Sequence, residues 1–307
     1  MQMSIFDLVS HEEKDVSDNA ALLIDGNNLL NRAFYATRES MKQSPNGKYT
    51  NGVNMFLQMM LKYKRDLNVS HLAVFFDKTR GFRENLYPGY KGTRNTQPEE
   101  LKEQFPLLEE LLKAMNVSVF ADEEMYEADD LIASLAKQLE SHMKVYLLSN
   151  DEDLLQLVTD QVIQICRKGK EDVFFDRDVF YQNYGLQPFQ MIDLKGLMGD
   201  TSDEYPGVPG IGEKGAQKLL QKYGTVESIY DNLPTLPKEF NRYKKKLENG
   251  KDEGFLSKKL ATLVSSIQVI ENRSEIQIQW DMNSLLDYCR NLGLRRLQME
   301  VESGRYS

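Results

Sequence analysis

The chain alternates short apolar runs with amphipathic stretches, and this alternation limits its fold more than any other feature. ALLID at 21–25, LAVFFD at 72–77, VSVF at 117–120, KVYLLS at 144–149 and VIQIC at 162–166 are strand-length, with helical patterning between them, as over 51–66. Strands separated by helices form a mostly parallel sheet covered on both faces. The pattern predicts a three-layer α/β domain over 21–175, preceded by a polar, acidic, flexible tail over 1–20. From 176 to 307 the β signal nearly vanishes until IQIQW at 276–280. Amphipathic stretches there surround the turn-rich EYPGVPGIG at 204–212, predicting a second, helical module.

No run approaches the ~20 apolar residues of a membrane helix. The N-terminus lacks the basic-then-apolar order of a secretory leader. Cys166 and Cys289 form no disulfide framework and suit a reducing compartment, so a cytoplasmic protein is expected. The formal net charge of −9, from 38 Lys and Arg against 47 Asp and Glu, argues at first against a nucleic-acid partner. Steering depends on local patches, however, and active-site carboxylates that hold cations carry negative charge of their own.

The acids fall where elements end. Asp25 and Asp77 close two strands, at the edge of an open α/β sheet where ligands bind. Glu127, Asp129 and Asp130 open a helix in MYEADDLIASLA, Asp151 and Asp153 follow the strand VYLLSN, and Asp200 and Asp203 lie in GDTSD. Any one of them is readily explained as a cap. Gathered in one cleft, they would repel by about 1 to 4 kcal/mol per close pair without a cation. All-oxygen ligands select Mg²⁺ or Mn²⁺, and two ions suit so many acids. His11, His71 and His142 are scattered, which disfavours zinc. Paired divalent ions are the recurring arrangement for in-line displacement at phosphorus, so the expected chemistry is phosphodiester hydrolysis. No P-loop and no GxSxG elbow is present.

Between 78 and 94 the acidic chain becomes basic: Lys78, Arg80, Arg83, Lys91 and Arg94 face one acid, Glu84, with Tyr87 and Tyr90 interleaved. Cations for phosphates and rings for unpaired bases suit single-stranded nucleic acid. Further on, Gly207, Gly210 and Gly212 form a tight turn before a helix bearing Lys214, Lys218 and Lys222. Glycines let the backbone approach a phosphate, and the following helix N-terminus offers free N–H groups. This is the chemistry of a helix-hairpin-helix module that grips a DNA backbone.

With these residues in view, the chain resembles, over roughly 21–300, the bacterial and phage 5′-nuclease family of flap endonucleases. That family is also found as the N-terminal domain of bacterial DNA polymerase I. The stretches that carry the resemblance are LIDGNNLLNRAF, FDKTRGFRENLYPGYKGTR, YEADDLIASLA, SNDEDLLQL and GDTSDEYPGVPGIGEKGA. The resemblance implies a PIN-like nuclease domain with a helix-hairpin-helix (H3TH) module, in a stand-alone version that acts on DNA as a monomer. It assigns Asp25, Asp77, Glu127, Asp129 and Asp130 mainly to the catalytic-ion cluster and Asp151, Asp153, Asp200 and Asp203 mainly to a second one. It makes 79–105 the arch that passes a 5′ single strand. Within it, Lys91 and Arg94 contact the scissile phosphate, Arg83 and Tyr87 contact DNA, and Tyr90 stacks a base.

The resemblance further implies a potassium ion at the hairpin, held by the carbonyls of Leu197, Met198, Pro206, Val208 and Ile211. Glu152, and the pair Asn27 and Asn28, depart from the pattern without removing a ligand, which implies tuning of rate or metal preference. Gln2, Met3, Ser4, Ile5 and Phe6 resemble the short peptide by which bacterial replication proteins dock on the sliding clamp. The biological role implied is removal of primer-derived flaps, RNA included, in replication and repair. Two alternatives remain open at this point: a non-catalytic branched-DNA-binding protein, and a PIN-type ribonuclease.

Overall fold

The computed structural model describes residues 19–41, 43–93 and 96–305, so Arg94 and the Gln2–Phe6 peptide lie outside the described residues. In chain order the regular elements are β1 (Ala20–Asp25), α1 (Gly26–Thr37), α2 (Asn51–Asp66), β2 (His71–Phe75), α3 (Gly81–Leu86), α4 (Glu99–Lys102), α5 (Gln104–Ala114), β3 (Ser118–Phe120), α6 (Ala128–Leu139) and β4 (Lys144–Leu148). They continue with β5 (Val162–Lys168), β6 (Glu171–Phe175), α7 (Arg177–Tyr184), α8 (Met191–Met198), α9 (Glu213–Tyr223), α10 (Val226–Asp231), α11 (Asn241–Asn249), α12 (Lys251–Ala261), α13 (Met282–Leu292) and α14 (Arg295–Glu302).

The six strands lie in the order β3-β2-β1-β4-β5-β6, and all neighbours are parallel except β5 and β6. Side chains of β1 alternate between the two faces, as the strand period requires. Leu22 and Ile24 join a core with Leu30, Phe34, Phe56, Leu57 and Leu108 from α1, α2 and α5, while Ala21 and Leu23 join another with Ile132 and Leu135 of α6. Because β2 lies on one side of β1 and β4 on the other, the strand order reverses at β1. A crevice therefore opens at the carboxyl end of β1.

Two strand expectations need correction. The antiparallel strand β6 gave little sequence signal, because its sequence EDVFF is partly exposed and buries only Phe175 fully; Gly169, at φ +63°, makes the turn into it. IQIQW is not a strand. After a 3₁₀ turn at Arg273–Ile276, Gln277 makes one antiparallel bridge to His71, and the Ile278 N–H donates to the Ser70 carbonyl (2.9 Å). The three-residue β3 pairs only from Ala73 onward, which leaves His71 and Leu72 of β2 without a β3 partner, and Gln277 takes the place beside His71.

A third core gathers Leu194, Leu197, Val208, Ile211, Leu219, Leu220 and Ile229 from α8, α9 and α10 and the turn between α8 and α9. Here α12 crosses α8 closely: a Cβ on Gly196 would lie 2.8 Å from that of Lys258. Beyond α12 the chain runs without regular structure along α6, whose side chains hold its backbone. Asp130 accepts the Val264 N–H (2.8 Å), Ser134 accepts that of Ile267 (3.1 Å), and Gln138 accepts that of Val269 (3.1 Å). Leu285, Cys289, Leu292 and Leu297 of α13 and α14 are then buried in the first core. Among the described residues no helix is long and apolar enough to cross a membrane.

Candidate active site

Four acids converge on the crevice. Asp25 ends β1 and caps α1, its Oδ1 accepting the Asn28 N–H (2.9 Å). Asp77 follows β2 and accepts the N–H of Ala128 at the start of α6 (2.7 Å). Asp129 lies in the first turn of α6, where negative charge is favoured. Asp151 follows β4 and accepts the Asp153 N–H (2.9 Å). These four line a cleft of about 370 Å³ together with Asn27, Asn28, Asn31, Tyr35 and Lys91.

Among the described residues none of the four is ion-paired, and for Asp25 and Asp129 this shows in the protonation. Burial first, then Asp77 and Asp151, push the Asp25 carboxyl up to about 7 against hydrogen bonds from the Asn28 N–H and Ser149 Oγ. Burial, then Asp151, Asp25 and Asp77, hold Asp129 well above the usual carboxylate range, with Lys91 opposing. Clustered carboxylate oxygens with this surplus of negative charge are a donor set that fits a hard divalent cation. They form the walls of a cleft and not a closed cage: among the described residues no three His, Cys, Asp or Glu side chains form a ready metal-ligating group.

The other five acids expected at metal sites have partners inside the protein. Asp130 is fully buried, accepts from both terminal nitrogens of Arg83 (2.7 and 2.8 Å), and reaches back to the Glu127 N–H (3.2 Å). It serves this pair and the segment after α12, and is not among the residues that line the cleft. Glu127 is bound by Arg83 (3.2 Å), by the Tyr90 hydroxyl (2.8 Å) and by Lys91. Burial still raises Glu127, although Lys91 and Arg83 oppose it.

Two DNA contacts expected from the sequence are corrected by the same network. Arg83 is 2% exposed and also donates to the carbonyls of Leu260 (2.8 Å) and Thr262 (3.1 Å), so it cannot reach a nucleic acid. Tyr90 is 3% exposed, with its hydroxyl between Glu127 and Asp203, so its ring has no face for a base. Lys91 does line the cleft. Burial alone would lower its pKa, but Glu127, Asp203, Asp77 and Asp129 raise it, and the ammonium stays charged. Tyr87 is half-buried near Tyr90.

At the other end of the acid group, Lys195 of α8 bridges Asp153 and Asp200, donating to Asp200 Oδ2 at 2.7 Å. Burial pushes Asp153 up to about 7 despite Lys195. Asp200, where Lys195 and Ser202 outweigh burial, is pulled down to about 2. Asp203 is buried and accepts from Tyr90 (3.2 Å).

Sequence reasoning did not single out Lys195, Ser149, or the work of the two asparagines. A lone lysine in the largely apolar MIDLKGLM was the available signal, since such a residue is rarely buried without a partner. Asn27 Oδ1 accepts the Asp77 N–H (3.0 Å), and Asn28 Oδ1 accepts the Asn150 N–H (3.1 Å). Consecutive amides after β1 thus clasp the ends of both neighbouring strands. Glu152 is exposed, and its negative charge helps burial raise the Tyr184 hydroxyl.

The hairpin between α8 and α9 depends on its glycines. At Gly207, φ is +61°, and a Cβ would lie 2.2 Å from the Gly199 nitrogen. Of the carbonyls expected to hold potassium, that of Leu197 accepts the Val208 N–H (2.8 Å) and that of Val208 accepts the Ile211 N–H (3.0 Å), which leaves each a second lone pair. Met198 ends α8, and Pro206 and Ile211 lie in the turn that follows. Gly210, Gly212 and Lys214 line a shallow cleft of about 470 Å³ with Arg242 and Lys246, two cations the sequence reading passed over; Lys218 is exposed one turn further along α9.

Comparison with known proteins bears on this geometry. Residues 20–185 match the family model of the 5′-3′ exonuclease N-terminal resolvase-like domain, and 186–283 match that of the 5′-3′ exonuclease C-terminal SAM fold. The chain is 35% identical over 287 residues to the 5′-3′ exonuclease of Halalkalibacterium halodurans, covering 89% of this chain and 94% of that protein. It is 39% identical over 281 residues to DNA polymerase I of Bacillus subtilis, covering 90% of this chain but only 31% of the polymerase. Among solved structures, a 5′-exonuclease of bacteriophage T5 with bound zinc has a similar fold, with TM-score 0.68, 24% identity, and coverage of 89% of this chain and 100% of the other. A flap endonuclease of the same phage, in a pseudo-enzyme–product complex with DNA and metal ions, matches with TM-score 0.65 and 24% identity over 84% of this chain and 95% of the other.

Proposed function

The chain belongs to the 5′-3′ exonuclease family, and from that premise we propose that it is a Mg²⁺-dependent, structure-specific 5′ nuclease. It cuts DNA near the junction of a 5′ single strand with duplex and also releases short products from 5′ ends. The observation that carries this reading is the set of four carboxylates, Asp25, Asp77, Asp129 and Asp151, gathered at the carboxyl edge of the parallel sheet without ion pairs among the described residues.

These four would hold the divalent ions, with Glu127, Asp153, Asp200 and Asp203 close behind them. When bound, such ions supply Lewis acidity and an activated water for attack at phosphorus. The protein's own groups then have defined tasks. Lys91, kept charged by Glu127 and Asp203, offers a fixed ammonium to the phosphate as its negative charge grows, where a preorganised cation is most effective. Tyr90 and Arg83 fix Glu127, and through it Lys91. Arg94, by its resemblance to the family's pattern, would be a second cation for the phosphate.

The hairpin glycines Gly207, Gly210 and Gly212, with Lys214 and Lys218, would grip the duplex backbone without sequence preference, aided by a potassium ion on the carbonyls of the turn. The role follows as removal of flaps and primer-derived 5′ ends, RNA included, by a monomer in the bacterial cytoplasm. Docking on a sliding clamp through Gln2–Phe6 is part of the same proposal; saturable binding of a 1–10 peptide to the clamp checks it.

The test of the activity is a labelled 5′-flap duplex incubated with Mg²⁺, with Ca²⁺ and with EDTA. Cleavage near the junction under Mg²⁺ alone is expected. Binding without cleavage under Mg²⁺ would replace this reading by that of a non-catalytic junction binder.

A further inference from the structure

We propose that Tyr35, and not an arch tyrosine, is the residue on which an unpaired base of the substrate stacks beside the bond to be cut. The proposal rests on the nuclease reading above and names a contact within that site.

Helix α1 starts at Asp25 and runs along the cleft. Asn28, Asn31 and Tyr35 are spaced three and four apart, so they share one face, and all three line the cleft with the four carboxylates. Seven residues of helix place Tyr35 about 10 Å beyond Asn28, on the same wall. Asn28 in turn clasps the backbone next to Asp151. A nucleotide neighbouring the scissile phosphate therefore passes the ring.

The ring is available for such a contact. Tyr35 is 51% exposed, whereas Phe34 beside it is buried. Phe34 supports the ring edge-on, with centroids 5.3 Å apart and planes at 84°, so its orientation is set before any ligand arrives. The Arg38 guanidinium lies 5.9 Å from the ring centroid and is exposed, giving a cation for the phosphate that accompanies a stacked base. Tyr90, by contrast, is enclosed by Glu127 and Asp203, and Tyr87 packs against the cluster that contains it. Every base presents a π face, so a contact of this kind tolerates any sequence, as a structure-specific enzyme requires.

The test uses a 5′-flap duplex with 2-aminopurine placed in turn on each side of the junction, in Ca²⁺, with the full-length protein. The wild type is expected to quench or shift the fluorescence at one of these positions. Tyr35→Ala should abolish that change and weaken flap binding roughly 5- to 100-fold, the range for loss of one base–aromatic stack. Tyr35→Phe and Tyr35→Trp should both retain it, because a ring and not a hydroxyl is needed. An unchanged 2-aminopurine signal in Tyr35→Ala, or equal loss in Tyr35→Phe and Tyr35→Ala, overturns the proposal. Failure of the nuclease reading would show separately, as absence of cleavage by the wild type in Mg²⁺.

Discussion

Asp25, Asp77, Asp129 and Asp151 line the cleft without ion pairs among the described residues, whereas Glu127, Asp130, Asp153 and Asp200, only a few residues away, are neutralised by Arg83, Lys91 and Lys195. Both groups stand at the same end of the sheet. The second group is stable as folded, since each charge has its counter-charge within the chain. The first group costs the fold free energy unless further positive charge joins it. Proximity to an active site is thus a poor guide to which acids bind a ligand; the presence or absence of an internal cation is a better one.

The sharpest way to break this contrast is to remove a cation from the paired group. Arg83→Ala would leave Asp130 buried and uncompensated, and about 3–5 kcal/mol of stability should be lost. Chemical denaturation measures it, and a loss under 1 kcal/mol would mean that the pair is not what steadies this region.

Removing an acid from the unpaired group should act in the opposite sense on stability. Asp25→Asn should lower flap cleavage on the order of 10²–10³-fold, as loss of one charge-stabilising group does, yet raise the melting temperature in chelator. The sign follows from protonation. The folded Asp25 carboxyl, at about 7, lies above its unfolded value, so its contribution to stability is present below the unfolded pKa and lost as pH rises through about 7. The variant should therefore melt above the wild type at pH 8 and match it near pH 4, with a ceiling of about 4 kcal/mol at high pH. A variant that melts lower at pH 8 would contradict the assignment of Asp25 to the uncompensated group.

A smaller effect is expected from Asn28→Ala, which removes the clasp on the Asn150 N–H. About 1 kcal/mol of stability should go, and Mn²⁺ binding followed by calorimetry should weaken while affinity for the flap is kept. Unchanged Mn²⁺ affinity would make Asn28 a purely structural tie.

Much of this was legible in the sequence, and for a physical reason. Strands buried on both faces must be apolar along their length, so the first acid after ALLI, after LAVFF or after VYLLSN marks a strand end. That places Asp25, Asp77 and Asp151 at one sheet edge. Which acids would stay unpaired was not legible, because Arg83 meets Asp130 across 47 residues and Lys195 meets Asp153 across 42, through loops whose course no periodicity reveals. The same blindness led from interleaved tyrosines to Tyr90 as a stacking ring: spacing cannot tell an aromatic that points into a carboxylate pair from one that points at solvent. The strand β6 escaped because a half-exposed edge strand of five residues carries no continuous apolar run.

The segment after α12 has a consequence for how the molecule comes into being. Asp130, Ser134 and Gln138 grip a backbone more than 130 residues further along the chain, and Arg83 donates to carbonyls 177 and 179 residues away. A nascent polypeptide leaving the ribosome has its first sheet strands long before these partners exist. Helix α6, which carries Asp129, is laced into position only when the last third has emerged, so a prematurely terminated product would expose nucleic acid in the cell to an unfinished centre and not to a competent one.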